Sequence, residues 1–390
     1  MSNKSYDPRK MGVINSVVKK IDVRENRKIP NPKRNLKEHK KIMTKILFIS
    51  YIIIIYITFS FLVVECNQRK LQVRYSYIKL KTYGTGDIRI IGEDYFFEVV
   101  LPNKIYINDK EANEIKKQYY FDNSGDKINN FTLIWNEEIS SIANMFYGCQ
   151  NIIEIGFSNF NTSLVKDMSF IFRDCKSLTS INFSNFDTSK VTYMTCMFEE
   201  CSKLFPLDLS TFDTSQVISF DSMFAGCYAL ISLNLTNFNT SRARYMPGMF
   251  SACSSLKSLD LSNFDTSKVE HMSQMFYGCS SLISLNLSSF DTSKVTKMKV
   301  MFCFCSSLSS INLSNFDVSN VVDMFGMFGE CPKLISLDLS NFDTSQVTDM
   351  GSMFEGCSKL EYINFKIAEL KKLQNNNKIF KGISSTVNHT

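Results

Sequence analysis

The chain has 390 residues, of which 44% are apolar and 21% are charged. This is enough apolar material for a folded core, so wholesale disorder is excluded. The net charge of +6 arises in residues 1–45, which hold 14 Lys and Arg against 4 Asp and Glu. The rest of the chain is slightly acidic, and we expect no nucleic-acid partner. The 3 histidines are scattered, which excludes a histidine-rich metal site.

An uncharged apolar run occupies residues 46–64. At a rise of about 1.5 Å per residue, a helix of this length covers a hydrocarbon core of about 30 Å. We therefore predict a transmembrane signal anchor at 46–64 behind a disordered, basic cytosolic tail at 1–45. The basic tail favours a single-pass type II protein of the plasma membrane, with its C-terminal ectodomain outside the cell. Five basic residues soon after the run leave the opposite topology open.

Nine cysteines recur at intervals of 26 residues from Cys149 to Cys357. They mark eight full repeats and two half repeats between residues 139 and 365. We number the positions of a repeat from 0 to 25, so that Leu256 is position 0 and Cys279 is position 23 of one unit, LKSLDLSNFDTSKVEHMSQMFYGCSS. The stretch L-x-x-L-x-L predicts a short strand, and V-x-x-M-x-x-M-F-x-x-C predicts a helical or 3₁₀ turn. Stacked coils of this kind form an α/β repeat solenoid.

The repeat resembles the BspA-like leucine-rich repeats of surface proteins, with the pattern L-x-S-L-D-L-S-N-F-D-T-S-x-V-x-x-M-x-x-M-F-x-G-C. Residues 262–267 and 340–345 both read S-N-F-D-T-S, as the pattern does. The resemblance implies a leucine-rich-repeat solenoid on a cell surface, with roles in adhesion or recognition. It implies no catalytic residues, so we expect no enzyme, no cofactor and no metal. Glu65 before Cys66 departs from the lipoprotein anchor of bacterial members.

Two segments of the chain depart from the repeat. Residues 65–138 contain strand-like runs and are predicted to form a small β-rich cap next to the membrane, because the first coil needs a cover. Residues 366–390 are predicted to be a C-terminal tail with a short helix at 368–373.

The strand side of the repeat is the first candidate ligand face. Alternate strand residues point away from the core, and position 4 then forms a row of Asn and Asp. A shallow groove for a glycan or an extended chain is one interpretation, and a structural ladder of Asn and Ser along the stack is the other. The row consists of Asn182, Asp208, Asn234, Asp260, Asn286, Asn312 and Asp338.

The turn side is the second candidate surface, because its free positions vary and carry charged and aromatic side chains, which dominate binding energy. The candidate partner residues are Tyr193, Arg242, Arg244, Tyr245, His271, Lys297 and Lys299. In a eukaryotic secretory pathway the chain would be a glycoprotein, and the candidate glycosylation sites outside the strand are Asn130, Asn161 and Asn239.

The cysteine column has an odd number of members at an apolar spacing, which predicts buried thiols rather than disulfides. Cys66, Cys196 and Cys303 lie off the column and are candidates for pairing. Cys66 is a candidate interchain disulfide, and a free or lipidated thiol is the alternative. A row of Asp at position 9 predicts capped turns rather than a calcium site.

These observations predict a membrane-anchored surface protein that recognises or adheres to an extracellular protein or glycan, without catalysis. A structural or antigenic surface-coat glycoprotein and a membrane-tethered intracellular scaffold are the alternatives. The ligand and the oligomeric state are not determined by the sequence.

Overall fold

The computed structural model describes residues 41, 43–45, 47, 76–94, 97–122, 128–365, 379–381 and 388–389. The chain divides into two units, Met1–Val73 and Arg74–Thr390, and the strands among the described residues all lie in the second unit. The strands are β1 (Ser76–Tyr83), β2 (Gly86–Arg89), β3 (Lys104–Ile107), β4 (Lys110–Glu111), β5 (Gln118–Phe121), β6 (Ile128–Trp135), β7 (Ile152–Asn159), β8 (Ser180–Asn182), β9 (Ser336–Asp338), β10 (Tyr362–Asn364) and β11 (Asn388–His389).

A six-stranded sheet joins the segment before the repeats to the first two repeats. Its order is β4-β3-β6-β1-β7-β8. Strand β1 pairs antiparallel with β6 on one side and with β7, the strand of the first full repeat, on the other. Strand β7 then pairs parallel with β8 of the next repeat. The hydrogen-bonding edge of the first repeat is therefore covered by β1.

The turn side of the repeats carries a continuous parallel ladder. Position 15 forms a β-bridge to position 15 of the next repeat, from Ser141–Asp167 to Asp323–Asp349. Within one turn, the N–H groups of Met272 and Gln274 donate to carbonyls of the next repeat at 3.1 and 2.9 Å. Between Gln274 and Phe276, which also bonds to the next repeat, the Met275 N–H donates to the carbonyl of Met272 and closes a tight turn. Each repeat is thus hydrogen-bonded to its neighbour through alternate residues.

The interior is a stack of columns of identical residues. The Phe at position 20 is fully buried in each repeat, and Phe250, Phe276 and Phe302 stack with ring centroids 5.8 and 5.7 Å apart. The column cysteines are buried and free, which confirms the buried thiols. From Cys175 onward, each thiol donates to the carbonyl of the position-20 Phe in the preceding repeat, as Cys279 does to Phe250 at 3.1 Å. These contacts bury the apolar side of every repeat against its neighbour.

The predicted α/β leucine-rich-repeat-like solenoid is wrong. From residue 76 onward the described chain contains strands and turns but no α- or 3₁₀-helix. A right-handed helix is interrupted because positions 18 and 22 adopt positive φ, as at Val300 (46°) and Phe304 (61°). The three-residue spacing therefore comes from successive turns whose other N–H groups bond to the next repeat.

The predicted strand in every repeat is also incomplete. Within the described repeats, L-x-x-L-x-L forms a strand in β7 to β10, and the repeats from 204 to 333 have none there. Among these described repeats, one backbone bond links neighbours on this side, and it is long at 3.4 Å from Lys257 N to Ile231 O. The ladder on the turn side is the more continuous of the two.

The predicted membrane anchor is corrected as well. Apart from Leu47, the segment 46–64 lies outside the described residues. Across the described ranges, no helix has the length and apolar character needed to cross a bilayer. The assignment of a single-pass type II plasma-membrane protein is therefore withdrawn.

Candidate functional site

Three rows of polar side chains stabilise the stacked repeats and their turns. We call this hydrogen-bonded stack the frame, and the candidate residues project from it. The Thr at position 10 bridges two repeats: Thr266 Oγ1 donates to Asp291 O at 2.8 Å and accepts from Asp291 N at 2.9 Å. The Asn at position 7 reaches back to carbonyls of the preceding repeat, as Asn263 does to Phe238 O at 2.8 Å. The Asx at position 9 accepts an N–H two residues later, which is the predicted capped turn. Because these rows recur in the stack, the positions between them are held in register.

The strand-side row of Asn and Asp is exposed in all seven repeats. Each Oδ1 accepts the N–H of the residue two positions later at 2.9 to 3.1 Å, as in Asn182–Ser184 and Asp260–Ser262. The row is therefore a series of Asx turns within single repeats. One described bond runs along the stack, from Asn364 to Asp338 at 3.0 Å. At position 4 the described bonds therefore favour turns within single repeats, whereas the Asn side chains at position 7 do bond from repeat to repeat.

These Asx turns leave part of each side chain available to a ligand. The amide nitrogens of Asn182, Asn234, Asn286 and Asn312 donate to no described protein atom. The backbone N–H of Ser262 lowers the pKa of the exposed Asp260 carboxyl, and that of Ser210 lowers the pKa of Asp208 in the same way. The face therefore presents amide donors and carboxylates that stay charged at neutral pH.

A shallow cavity of about 520 Å³ opens at the N-terminal end of this face. It lies over β6, β1, β7 and β8, and both Asn182 and Asn130 line it. Lys81 and Glu154 form an ion pair of 2.6 Å in its wall. This cavity joins the ligand face to a predicted glycosylation site, a relation that the repeat pattern alone does not reveal.

The turn-side candidates lie on adjacent repeats. Tyr193, Tyr245, His271 and Lys297 all occupy position 15, and Tyr245, His271 and Lys297 are bridged in succession. Both tyrosines and Lys297 are exposed, and His271 is half-buried. Burial and the neighbouring Lys297 lower the pKa of His271, so its imidazole is neutral at pH 7. The structure therefore brings these residues together as one line of side chains.

The remaining turn-side candidates stand beside this line. Arg244 is held by Glu270 of the next repeat, with Nε 3.0 Å from Oε1, and lies over the ring of Tyr245 at 6.0 Å. Lys299 lies 5.2 Å from the centre of the Phe325 ring. We call the surface formed by Tyr193, Arg242, Arg244, Tyr245, His271, Lys297 and Lys299 the flank surface.

A cleft of about 420 Å³ opens on the flank, lined by Ile218, Arg242, Arg244, Lys268, Glu270 and Lys294. Four cations and one carboxylate give this lining a net charge of +3. Sequence reasoning missed Lys268 and Lys294. The signal was present at position 12, where three successive repeats carry Arg242, Lys268 and Lys294.

The candidate glycosylation sites Asn130, Asn161 and Asn239 are exposed. Asn161 and Asn239 use their side-chain oxygens to accept the N–H two residues later, at 3.0 Å. Their glycosylation remains a prediction. The candidate interchain cysteine, Cys66, lies outside the described residues.

The off-column cysteines Cys196 and Cys303 are buried and free, so their predicted pairing is wrong. Burial raises the pKa of the Cys303 thiol to about 11 and raises that of Cys253 well above its ordinary value. Such thiols are weak nucleophiles at neutral pH. Within the described part of the chain, no group of three or more His, Cys, Asp or Glu is placed to hold a metal ion.

Comparison with protein families gives one match, to a model described as a Mycoplasma protein of unknown function, DUF285. It matches three overlapping stretches in tandem, residues 116–230, 203–284 and 279–390. Comparisons with curated proteins and with solved structures give no match. The tandem matches establish a repeat family for most of the second unit, at a coarser level than the BspA-like resemblance.

Proposed function

The chain belongs to the DUF285 family, and we propose that it is a non-catalytic recognition or adhesion protein that binds an extended protein or glycan through the flank surface. The stack of repeats supplies a rigid frame. The flank supplies the specificity, because its positions vary from repeat to repeat while the framework positions recur.

One observation carries this proposal: two exposed tyrosines and several charged side chains lie together on the flank. Tyr193, Tyr245 and Lys297 project from the bridged line at position 15, and Arg242 and Arg244 stand beside it. Tyr and Arg are enriched among the residues that dominate binding energy, because they combine large contact area with directed hydrogen bonds. A row fixed by backbone bridges presents them with little loss of conformational entropy on binding.

The absence of catalysis is part of the same proposal. A catalytic nucleophile needs a base within hydrogen-bonding reach, and His271 Nδ1 is buried without a hydrogen-bond partner. The two thiols with raised pKa described above are enclosed in the frame. These features support binding rather than covalent chemistry.

A second candidate, a structural spacer or coat protein, is favoured by the strand face. There the Asx side chains satisfy backbone groups of their own repeat, which stabilises the frame without a ligand. In that case the flank residues would be interchangeable with any solvated side chains.

The two candidates are separated by binding of the full chain to arrays of matrix proteins and glycans. We expect saturable binding that is lost in the triple variant Tyr193→Ser, Tyr245→Ser, Lys297→Ser. The matched control, Tyr228→Ser, Tyr362→Ser, Lys257→Ser, changes the same residue types at exposed positions off the flank and should bind normally. Absence of any saturable ligand, or equal loss in both triple variants, would reject the flank as a recognition surface.

A further inference from the structure

We propose that the cleft on the flank binds a linear glycan that carries sulfate or carboxylate groups. This inference rests on the proposed function and names the ligand class for one part of the flank. The argument starts from position 12 of the repeat, which none of the framework rows uses.

Position 12 carries a nitrogen donor in seven successive repeats. The residues are Lys190, Gln216, Arg242, Lys268, Lys294, Asn320 and Gln346, and we call them the donor row. Six of them are exposed and Gln216 is half-buried. Leu164, in the first full repeat, is the exception. A straight row of donors on neighbouring repeats complements a linear molecule that offers acceptor oxygens along its length.

The centre of the donor row is strongly basic. Arg242, Lys268 and Lys294 stand on consecutive repeats, about 4.8 Å apart if the repeats are spaced as neighbouring strands are. Two like charges about 4 Å apart repel by about 1 kcal/mol even in bulk water. Lys294 makes no hydrogen bond or ion pair with any described residue. The repulsion is relieved when an anionic ligand lies across the three side chains.

The acidic groups near the row do not cancel this charge. Glu270 is already engaged by Arg244. Asp265 and Asp291, three residues before Lys268 and Lys294, each accept a backbone N–H, from Ser267 and Ser293 at 3.0 and 2.9 Å. These carboxylates keep their charge. Counted together with Glu270, they leave the four cations of the cleft with a net charge of +1, and the lining alone carries +3.

The basic side chains keep donors free for a ligand. Lys268 Nζ donates to Ser241 O at 2.9 Å, and Arg242 donates to Gln216. A lysine has three donors and an arginine has five, so most of them point to solvent. The bonds also lay the two side chains along the stack, where they form the floor of an open groove.

The composition of the cleft favours a glycan over a nucleic acid. Proteins that bind single strands use aromatic side chains on which bases stack, and the cleft lining contains none. An extended acidic peptide also fits poorly. Its same-face side chains recur about every 6.8 Å, twice the strand rise of about 3.4 Å, so they fall out of step with the donor row. Sugar acids and sulfated sugars bring anions together with hydroxyl and ether oxygens, and these suit the Gln and Asn at both ends of the row.

The test is equilibrium binding of a fluorescent, size-defined dextran sulfate oligosaccharide to the full chain, with unsulfated dextran of equal length as the probe control. The cleft variant is Arg242→Gln, Lys268→Gln, Lys294→Gln. Glutamine already occupies this column at Gln216 and Gln346, so the substitutions suit the fold. The protein control, Lys257→Gln, Lys333→Gln, Lys359→Gln, removes the same charge from exposed positions outside the donor row.

We expect the sulfated probe to bind, the unsulfated dextran not to bind, and affinity to fall as salt rises. The cleft variant should weaken binding about 30-fold, which is about 2 kcal/mol at 1.4 kcal/mol per tenfold change. The protein control should bind within about twofold of the parent.

Three results would overturn the inference: no binding of the sulfated probe, parental affinity in the cleft variant, or an equal loss in the protein control. Stronger competition by polyglutamate or by single-stranded DNA of equal charge would overturn the ligand class. If the cleft inference fails while the tyrosine variants still abolish array binding, the proposed function stands. If neither the flank variant nor the cleft variant changes binding, both proposals are rejected.

Discussion

Removing one phenyl ring from the middle of the stack should divide the repeat array into two halves. Phe276 is fully buried. Its ring lies between those of Phe250 and Phe302, at interplanar angles of 10° and 4°. Its N–H donates to Met301 O at 3.0 Å, and Phe276→Ala retains that bond. The substitution therefore opens a cavity while the backbone ladder keeps the neighbouring repeats from closing over it.

The cost follows from the cavity and the lost ring contacts. Truncation of a buried Phe to Ala costs about 3–5 kcal/mol, and each aromatic pair contributes about 0.5–1.5 kcal/mol. Because Phe276 stacks on both sides, we expect the upper end of the truncation range, about 5 kcal/mol. A typical domain has a free energy of unfolding of about 5–15 kcal/mol. Repeats contact only their neighbours, so the loss should uncouple the repeats before Phe276 from those after it.

Urea unfolding with two probes measures this effect. Circular dichroism reports all the repeats, whereas the fluorescence of the single tryptophan, Trp135 in β6, reports the N-terminal end. Phe276→Ala should broaden or split the dichroism transition and shift the Trp135 transition less. The control is Phe304→Ala, since Phe304 is 45% exposed and should cost about 1 kcal/mol or less. If the two variants cost the same, or if both probes shift together in Phe276→Ala, the reasoning is refuted.

Three further predictions concern the frame. Burial raises the pKa of Cys253 and Cys303. Their protonated thiols therefore contribute fully to the free energy of unfolding below the ordinary thiol pKa of about 8.5, and this contribution is lost as the pH rises above it. The urea midpoint should therefore fall between pH 8 and 10, and less steeply in Cys253→Ala; an unchanged slope would contradict this. Val318 is buried where most repeats have the bridging Thr, so Val318→Thr should add bonds to the Asp343 backbone and raise stability by about 1 kcal/mol in urea unfolding; a loss would count against the bridge. Val300→Gly should raise the thermal midpoint, because a β-branched residue at φ 46° stores about 1 kcal/mol or more of strain; a lower midpoint would argue that its packing outweighs the strain.

The sequence predicts which side chains are buried in this protein better than it predicts the backbone conformation. The 26-residue interval of the cysteines and the apolar spacing around Cys279 are enough to predict a buried thiol column. The same spacing wrongly predicts a helical turn, because spacing by three residues is shared by a helix and by successive tight turns. Glycine at the positive-φ positions would have distinguished the two. Glycine does stand at position 22 in Gly226, Gly278 and Gly356, but other repeats place Val300 and Phe304 at positive φ, so the signal is present in only part of the array.

The candidate surfaces differ in how far they could be predicted. The exposed residues at position 15 follow from their variation between repeats, and the structure adds that Tyr245, His271 and Lys297 are bridged in one line. The cleft could not be found from single residues, since Lys268 and Lys294 each look like solvated lysines. Lys268 and Lys294 form a cationic cleft only together with Arg242 on the neighbouring repeat. The hydrogen-bonded register between repeats is what aligns these three residues.

The repeat separates stability from specificity by position. The Thr bridges, the Phe stack and the thiol bonds lie at positions 10, 20 and 23, and they connect one repeat to the next through buried groups. Positions 12 and 14 carry exposed or half-exposed side chains in the described repeats, and position 15 does so everywhere except at the buried Ser219. A change of ligand therefore requires substitutions in a few repeats at these positions and leaves the stack intact. The basic centre of the donor row, with amides on either side, is what such local variation on a fixed frame would produce.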